Sequence, residues 1–147
     1  MSENIGPSRQ LTDPVKLVAF NFMQDNVAAS QSNVQLNVAE VASAATLAVD
    51  GVTMPWAGTI VGISYNLSAA ATAGSLTIGP TVNGTEATDP TLSVTTGTSG
   101  SDTAVRGAAT FAAGDLIGAE ITTDGSWDGT SSDLVATVWC LVELSGV

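Results

Sequence analysis

Two stretches of this sequence place a glycine-marked turn directly before a run in which apolar residues alternate with small or polar ones. Residues 55–64 read PWAGTIVGIS, and residues 111–118 read FAAGDLIG. A turn residue followed by alternation of period two is typical of antiparallel strands that bury one face. The pattern therefore predicts an antiparallel sandwich rather than a loop built around an active site.

The same alternation recurs along most of the chain. Asn83 and Gly84 separate two such runs and predict a tight hairpin turn, since both residue types accept positive φ. Glu120 and Thr122 are expected to point to solvent. The residues expected to face inward are Val18, Phe20 and Phe22; Val61, Ile63, Tyr65 and Leu67; Leu76, Ile78 and Val82; Leu92 and Val94; Val105, Ala109 and Phe111; Ile117, Ala119 and Ile121; and Leu134, Ala136, Val138, Cys140 and Val142.

These runs together predict an all-β protein, an antiparallel β-sandwich of jelly-roll type with about eight strands. A helix over residues 38–48, which are rich in Ala and Val, is the alternative for that segment. With 147 residues the chain has the size of one domain and can bury roughly 70% of its unfolded surface. We expect an extended N-terminal arm over residues 1–14, where Pro7 and Pro14 lack the backbone donor, and a single β-sandwich domain over residues 15–147.

Charge limits the partners that the protein can bind. The sequence has 14 acidic residues against Arg9, Lys16 and Arg106, which gives a net charge of -11. Binding to a phosphate backbone needs clustered cations, and an anionic membrane surface would repel this chain. No run reaches the roughly 18 apolar residues of a spanning helix, and no secretory signal opens the sequence. We therefore expect neither nucleic acid nor a membrane as a partner.

The residue types that usually carry catalysis are scarce. The sequence has no histidine and a single cysteine, Cys140, in an apolar run, which excludes Ser-His and Cys-His nucleophile pairs and thiolate metal clusters. Asp124 and Asp128 flank Trp127 and are the one carboxylate pair that could serve glycoside hydrolysis, although carboxylates in such loops usually form turns. The same two residues with Asp133 could instead bind calcium. We expect no catalytic residue and no cofactor.

The last predicted strand is apolar on both faces. Its outward side carries Val135, Trp139 and Leu141, and the first strand adds Leu17 and Met23 to the same side if the two strands are neighbours. Apolar residues on both faces of a strand must be covered on both faces. We therefore expect these five residues to form an interface with another subunit, unless the N-terminal arm or a long loop of the same chain covers them.

From residue 55 to the C-terminus, the order of strand and turn patterns resembles the small jelly-roll modules of bacteriophage virions, which include head decoration or capsid auxiliary proteins. The patterns are Pro-x-Ala-Gly-Thr-Ile-x-Gly-Ile-Ser, Leu-Thr-Ile, Asn-Gly-Thr, Phe-Ala-Ala-Gly-Asp and Asp-Leu-x-Ala-Thr-Val, in that order. Their shared positions, including Gly58, Gly62, Gly114 and Asp115, are expected to serve turns and packing rather than chemistry.

The resemblance implies a structural protein of a tailed-phage particle, made in the host cytoplasm and located in the virion. Within that class it implies a capsid decoration protein that binds the outer surface of the head, with the major capsid protein as partner and a homotrimer as the assembly. The alternative is the tip of a fibre or spike that binds a host surface glycan. Trp56 and Trp127 would then be the platforms on which sugar rings stack.

Overall fold

The computed structural model describes residues 15–39 and 50–144, and all regular structure in these ranges is β-strand. The strands are β1 (Val15–Gln24), β2 (Val34–Gln35), β3 (Val52–Thr53), β4 (Gly58–Leu67), β5 (Leu76–Val82), β6 (Thr85–Glu86), β7 (Leu92–Val94), β8 (Ser99–Thr103), β9 (Ala109–Phe111), β10 (Leu116–Thr123) and β11 (Leu134–Glu143). The expected arm over residues 1–14 and nearly all of the alternative helix over residues 38–48 lie outside the described residues. A search of the described ranges for a helix long and apolar enough to cross a membrane finds none.

The strands form two antiparallel sheets in a sandwich-like arrangement, in agreement with the predicted all-β sandwich. The described residues contain eleven strands rather than about eight, because several sheet edges are made of short strands. The first sheet has the order β1-β11-β4-β8, with β9 also on β4. The second has the order β2-β10-β5-β6, with β3 also on β10 and β7 also on β5. Three of the four sheet edges are thus made of two short strands each, whereas the fourth edge is the ten-residue strand β1.

A single cluster of buried side chains fills the space between the sheets. The inward positions of β11 alternate as predicted, since Leu134, Ala136, Val138, Cys140 and Val142 are all buried. Burial raises the pKa of the Cys140 thiol to about 12. Cys140 is therefore a small apolar member of the core rather than a reactive group.

A β-bulge changes the facing of β4 partway along the strand. Trp139 lies opposite Gly62, but the next residue of β11, Cys140, lies opposite Ile60, so Val61 is an extra residue. As a result both Ile60 and Ile63 are fully buried, and Val61 is half-buried. The prediction that Val61 faces inward in step with Ile63 is wrong, because strict alternation does not continue across a bulge.

The two turns that contribute to the resemblance contact each other. Asn83 and Gly84 have φ of 53° and 76°, as expected for a tight hairpin between β5 and β6. The Asn83 side chain accepts a hydrogen bond from the Leu116 N–H at 2.9 Å and donates one to the Asp115 carboxylate at 2.9 Å. Asp115 also accepts the Ala112 N–H at 2.7 Å. These residues fix the entry into β10.

Strand β8 was not predicted from the sequence. Its residues, SGSDT, contain no apolar side chain, yet they pair with β4 from Gly62 to Asn66. Val105, which was expected to face inward on a strand, instead lies in the following turn with 77% of its surface exposed. Backbone pairing with a long neighbouring strand decides the structure here, and hydrophobic alternation cannot detect it.

The predicted exposure of Glu120 also needs correction. It does lie on the outward face of β10, but it is only 5% exposed, whereas Thr122 on the same face is exposed as expected. The prediction that Glu120 reaches solvent is wrong, because neighbouring side chains on the second sheet cover it.

Candidate interaction surface

The five residues predicted to form an interface lie together on the outward side of the first sheet. We call this surface the outer face and define it by these five residues and Ala19. The pairs across β1 and β11 are Leu17 with Leu141, Ala19 with Trp139, and Met23 with Val135.

Leu17 and Trp139 are the most exposed large apolar members of the outer face. Leu17 is 58% exposed and Trp139 is 38% exposed. The Trp139 indole N–H donates to the Ser64 hydroxyl at 3.3 Å, and a Cβ built at Gly62 would lie 3.6 Å from Trp139 Cδ1. Leu17, Trp139, Val61 and Asp102 are among the residues that line a groove of about 250 Å³. The hydrogen bond to Ser64 helps to hold the indole against the sheet, and a methyl group at Gly62 would make only ordinary contact with it.

The outer face also lacks charge. Between Leu17 and Leu141 at one end and Met23 and Val135 at the other, the outward positions of β1 and β11 carry only apolar, amide or hydroxyl side chains. The polar pair among them is satisfied internally, since the Thr137 hydroxyl is 2.8 Å from the Asn21 side-chain oxygen. The strand pair β1–β11 therefore presents an uncharged, largely apolar surface on a chain whose net charge is -11, and Asp102 is the acidic residue of the adjoining groove.

A second apolar surface opens at the end of the sandwich where β1 begins. It is a cleft of about 390 Å³, and Val18 and Phe20 of β1, both expected to face inward, lie in its wall and are half-buried. Its lining residues are Lys16, Val18, Phe20, Val52, Met54, Pro55, Trp56, Val142 and Leu144. Trp56 is 41% exposed. The sequence did not predict this cleft, because its walls come from three segments that are distant along the chain.

The aspartates of the loop after β10 are engaged in turns. Asp128 accepts the Thr72 hydroxyl at 2.5 Å and the N–H groups of Thr72 and Ala73 at 2.8 and 3.1 Å. Asp124 accepts the Ser75 hydroxyl at 2.8 Å. These hydrogen bonds hold the pKa of both carboxyl groups below the ordinary value, with the bond from the side-chain hydroxyl the largest cause in each case. Both carboxylates thus join two loops rather than face a substrate.

The calcium hypothesis for the same loop gains no support from the geometry. Asp133 accepts the Asn26 N–H at 3.2 Å. Within residues 15–39 and 50–144, no three His, Cys, Asp or Glu side chains come close enough together to hold a metal ion.

Trp127 is part of the core and not a surface platform. It is 2% exposed, and its indole N–H donates to the Val27 carbonyl at 3.1 Å. Gly129 lies against the ring, where an added Cβ would come within 2.7 Å of Trp127 Cε2. The interpretation of Trp127 as a stacking surface for a sugar is therefore wrong. A tryptophan among Gly, Ser and Asp suggested an exposed loop, but the loop folds back over its own aromatic ring.

No protein-family model matches this sequence, and no curated protein matches it either. Among solved structures, the chain is similar to one described as a cyanophage Pam1 capsid asymmetric unit. The alignment covers 97% of this chain and 94% of that chain, at 10% sequence identity and a TM-score of 0.41. A likeness at this level carries no argument about function.

Proposed function

We propose that this protein is a structural component of a tailed-phage particle, where it binds the outer surface of the head as a decoration protein. The observation that carries the proposal is the neutral, apolar outer face on a chain with a net charge of -11. Contiguous exposed apolar surface marks sites of protein contact. Copies that repel one another through their net charge can meet most easily through an uncharged face.

In the proposed assembly, the outer face joins copies of the chain into a homotrimer. Leu17 and Trp139 are the expected anchors, since they are the most exposed large apolar residues of the face and line its groove. Aromatic anchors near the centre of a contact usually supply much of the binding energy.

The N-terminal arm would make the contact with the major capsid protein. An extended segment can add a strand to the sheet edge of a neighbour and gain affinity from main-chain hydrogen bonds. In this chain the segment before Val15 leads directly into β1, the long edge strand of the first sheet. A trimer would present three arms at once, so individually weak contacts would add up through avidity.

The residues that carry the sequence resemblance have the roles expected of them. A Cβ at Gly58 would collide with the Leu141 carbonyl and the Phe111 ring, so this glycine permits close packing between strands. Gly114 has a φ of 93°, and Asp115 closes the adjoining turn. These positions support kinship with phage virion sandwiches in turns and packing, and the jelly-roll subtype is part of the proposal.

Electron microscopy of particles from the source, labelled with a gold-conjugated antibody to this protein, tests the location. Label spread over the head is the expected result. Label confined to the tail or to a spike tip would favour the alternative function below. If no particle were labelled, the assignment to the virion would be wrong.

The role of the outer face is tested by sedimentation equilibrium of the purified protein. The double variant Leu17→Ser with Trp139→Ser should reduce a trimeric mass to that of one chain, because it removes both anchors. Val105→Ser is the matched control, since Val105 is the most exposed large apolar residue of the described ranges, at 77%, and is neither a member of the outer face nor a lining residue of its groove. A double variant that stays trimeric, or a wild-type protein that is monomeric at all concentrations, would contradict the proposed interface.

The role of the arm is tested separately with a variant that lacks residues 1–13. It should keep the circular dichroism spectrum and the trimeric mass of the full chain but no longer bind phage heads from which the protein has been removed. Undiminished binding to those heads would show that the arm is not the capsid contact.

The alternative function, a fibre or spike tip that binds host glycan, is favoured by one observation. Trp56 is 41% exposed at the rim of the apolar cleft, in a position where a sugar ring could stack on it. This function predicts that Trp56→Ala abolishes binding to host cells and leaves the oligomeric mass unchanged. The decoration function predicts that neither the wild-type protein nor Trp56→Ala binds to host cells.

We also propose that the protein acts without catalysis and without a bound metal. The carboxylates of Asp124 and Asp128 are engaged with hydroxyl and amide groups of the neighbouring loop, which accounts for their presence without a reaction. A melting temperature that does not change on addition of EDTA is the expected result. A clear decrease would restore the calcium hypothesis for Asp124, Asp128 and Asp133.

A further inference from the structure

Four polar side chains meet on the outward side of the second sheet: those of Gln35, Thr81, Glu86 and Glu120. We propose that Glu86 and Glu120 share one proton, and that this carboxyl pair holds the β5–β6 hairpin against β10. The pair lies on the sheet opposite the outer face, and the proposal does not depend on the proposed function.

Two glycines of the second sheet lie beneath these polar side chains. Gly79 of β5 lies opposite Glu120, and Gly118 of β10 lies opposite Thr81. A Cβ at Gly79 would collide with the Glu86 carboxylate, and one at Gly118 would lie 2.7 Å from the Thr81 hydroxyl oxygen. Glu86 therefore extends from β6 over the bare backbone of Gly79 towards Glu120.

The burial of Glu120 requires a partner for its charge. Glu120 is 5% exposed, and an ionised carboxylate removed from water is costly unless it is paired or hydrogen-bonded. Of the two cations in the described ranges, Arg106 pairs with Glu143 at 3.1 Å, and Lys16 borders the apolar cleft. A proton shared with a second carboxyl group reduces the negative charge at this place.

The hydrogen bonds around Glu120 favour Glu86 as the carboxyl group that carries the proton. The Thr81 hydroxyl donates to Gln35 Oε1 at 3.1 Å, which turns the Gln35 amide so that Nε2 donates to Glu120 Oε2 at 2.6 Å. Because Glu120 already accepts this amide hydrogen, we assign the shared proton to Glu86. Glu86 is exposed on β6, yet partial burial, then the charge of Glu120, then the hydrogen bond with Glu120 raise the pKa of Glu86, in the direction that this assignment requires.

The other titratable groups on the surrounding elements are all acidic. Asp50 places its backbone carbonyl over Gly118, where an added Cβ would lie 2.6 Å from the oxygen. Asp115 directly precedes β10, Asp124 directly follows it, and Asp89 lies after β6. None of these groups offers a positive charge to the pair.

The pair makes the stability of the second sheet depend on pH with a definite sign. Because folding raises the pKa of Glu86, the stabilisation by its proton is complete below the ordinary value of 4.5 and is lost as pH rises through the folded-state value. Above that value two carboxylates face each other, and the two-residue strand β6 with its hairpin turn is the element that this repulsion loosens.

Thermal unfolding of the full chain between pH 3 and pH 8 tests the proposal with Glu86→Gln, in which a neutral amide replaces the protonated carboxyl. The variant should melt at a higher temperature than wild type at pH 8, and the gain should vanish near pH 4. Glu143→Gln is the matched control, because it removes one carboxylate from an exposed ion pair on the other sheet. An equal gain at pH 8 in both variants, or a loss in Glu86→Gln at every pH, would overturn the proposal.

Gly79→Ala gives a second test that leaves both carboxyl groups in place. The added methyl group should displace only the flexible end of Glu86, which separates the pair without removing a charge. Carbon-13 NMR of the Glu side-chain carboxyl groups should then show Glu86 titrating at an ordinary pKa, whereas in wild type the pKa of Glu86 is raised. Ordinary titration of Glu86 in the wild-type protein would overturn the proposal.

Calcium distinguishes a shared proton from a shared cation. If the two carboxylates held a divalent ion, adding calcium chloride at pH 8 would raise the melting temperature of wild type but not that of Glu86→Gln, and the proton-sharing assignment would be wrong. Shared protonation predicts the same small response to calcium in both proteins.

Discussion

Replacing Trp127 with alanine should destabilise the sandwich by about 3–5 kcal/mol, the range usual for removing a buried large aromatic residue. The side chain is 2% exposed, so folding removes nearly all of its surface, about 150–250 Å², from water. At about 25 cal/mol per Å², and with allowance for a compact unfolded state, this area corresponds to a similar free energy. The loss is a large part of the roughly 5–15 kcal/mol that stabilises a typical domain.

A conservative variant separates the hydrogen bond of Trp127 from its bulk. Trp127→Phe keeps most of the ring but removes the indole N–H, which leaves the buried Val27 carbonyl without its donor. An unsatisfied buried carbonyl costs about 1–3 kcal/mol. Phenylalanine should therefore be better tolerated than alanine but should still be clearly destabilising.

Urea unfolding followed by far-ultraviolet circular dichroism measures both variants without relying on tryptophan fluorescence. Trp56→Ala is the matched control, since Trp56 is 41% exposed and its removal should change the unfolding free energy by less than Trp127→Ala does. For a chain of this size, 1 kcal/mol corresponds to about 2–4 °C in the melting temperature. If Trp127→Ala unfolded like wild type, or if Trp56→Ala were the more destabilised variant, the buried placement of Trp127 would be wrong.

Three further predictions follow from packing, hydrogen bonding and burial. Gly58→Ala should cost about 1–3 kcal/mol in urea unfolding because its methyl group meets the Phe111 ring and a strand backbone, whereas Gly62→Ala, with no contact closer than 3.4 Å, should be mild. Folding lowers the pKa of Asp128 through hydrogen bonds, so its contribution to stability is present above 3.8 and is lost as pH falls through the folded value. Asp128→Asn should accordingly melt lower than wild type at pH 7 and flatten the acid limb of the melting curve. Cys140, whose pKa burial raises to about 12, should not react with Ellman's reagent at pH 8 until the protein is denatured, and rapid reaction of the native protein would contradict its placement.

The alternating strands were predictable because the pattern of side chains is itself the physical cause of their facing. Leu134 and Val138 point into the core because they lie an even number of residues apart on an extended backbone. The same rule placed Leu17 and Trp139 together once their strands proved to be neighbours. It failed at Val61, where one extra residue reverses the facing of everything beyond it.

The polar features were beyond the reach of the pattern because they depend on which strands become neighbours. Glu86 and Glu120 meet only because β10 and β6 flank the same strand. Trp127 is buried because its loop closes over Val27, whose position along the sequence gives no hint of the contact. Hydrophobic periodicity records whether a residue faces inward, but it holds no information about which distant residue covers it.

The division of the sheet edges limits how copies of this domain can connect through main-chain hydrogen bonds. An exposed edge recruits another strand only where several consecutive N–H and C=O groups are available. In the described part of the chain, three edges are interrupted between two short strands, and β1 alone runs as one long edge up to Met23, whose N–H and C=O already pair with Asn37. Each copy of the domain therefore has one sheet edge that can pair with a strand of another chain. Two copies that paired along β1 would each occupy their one continuous edge, so assembly by edge pairing would stop at a dimer. At high local concentration, this limit would prevent the protein from forming fibres by edge pairing.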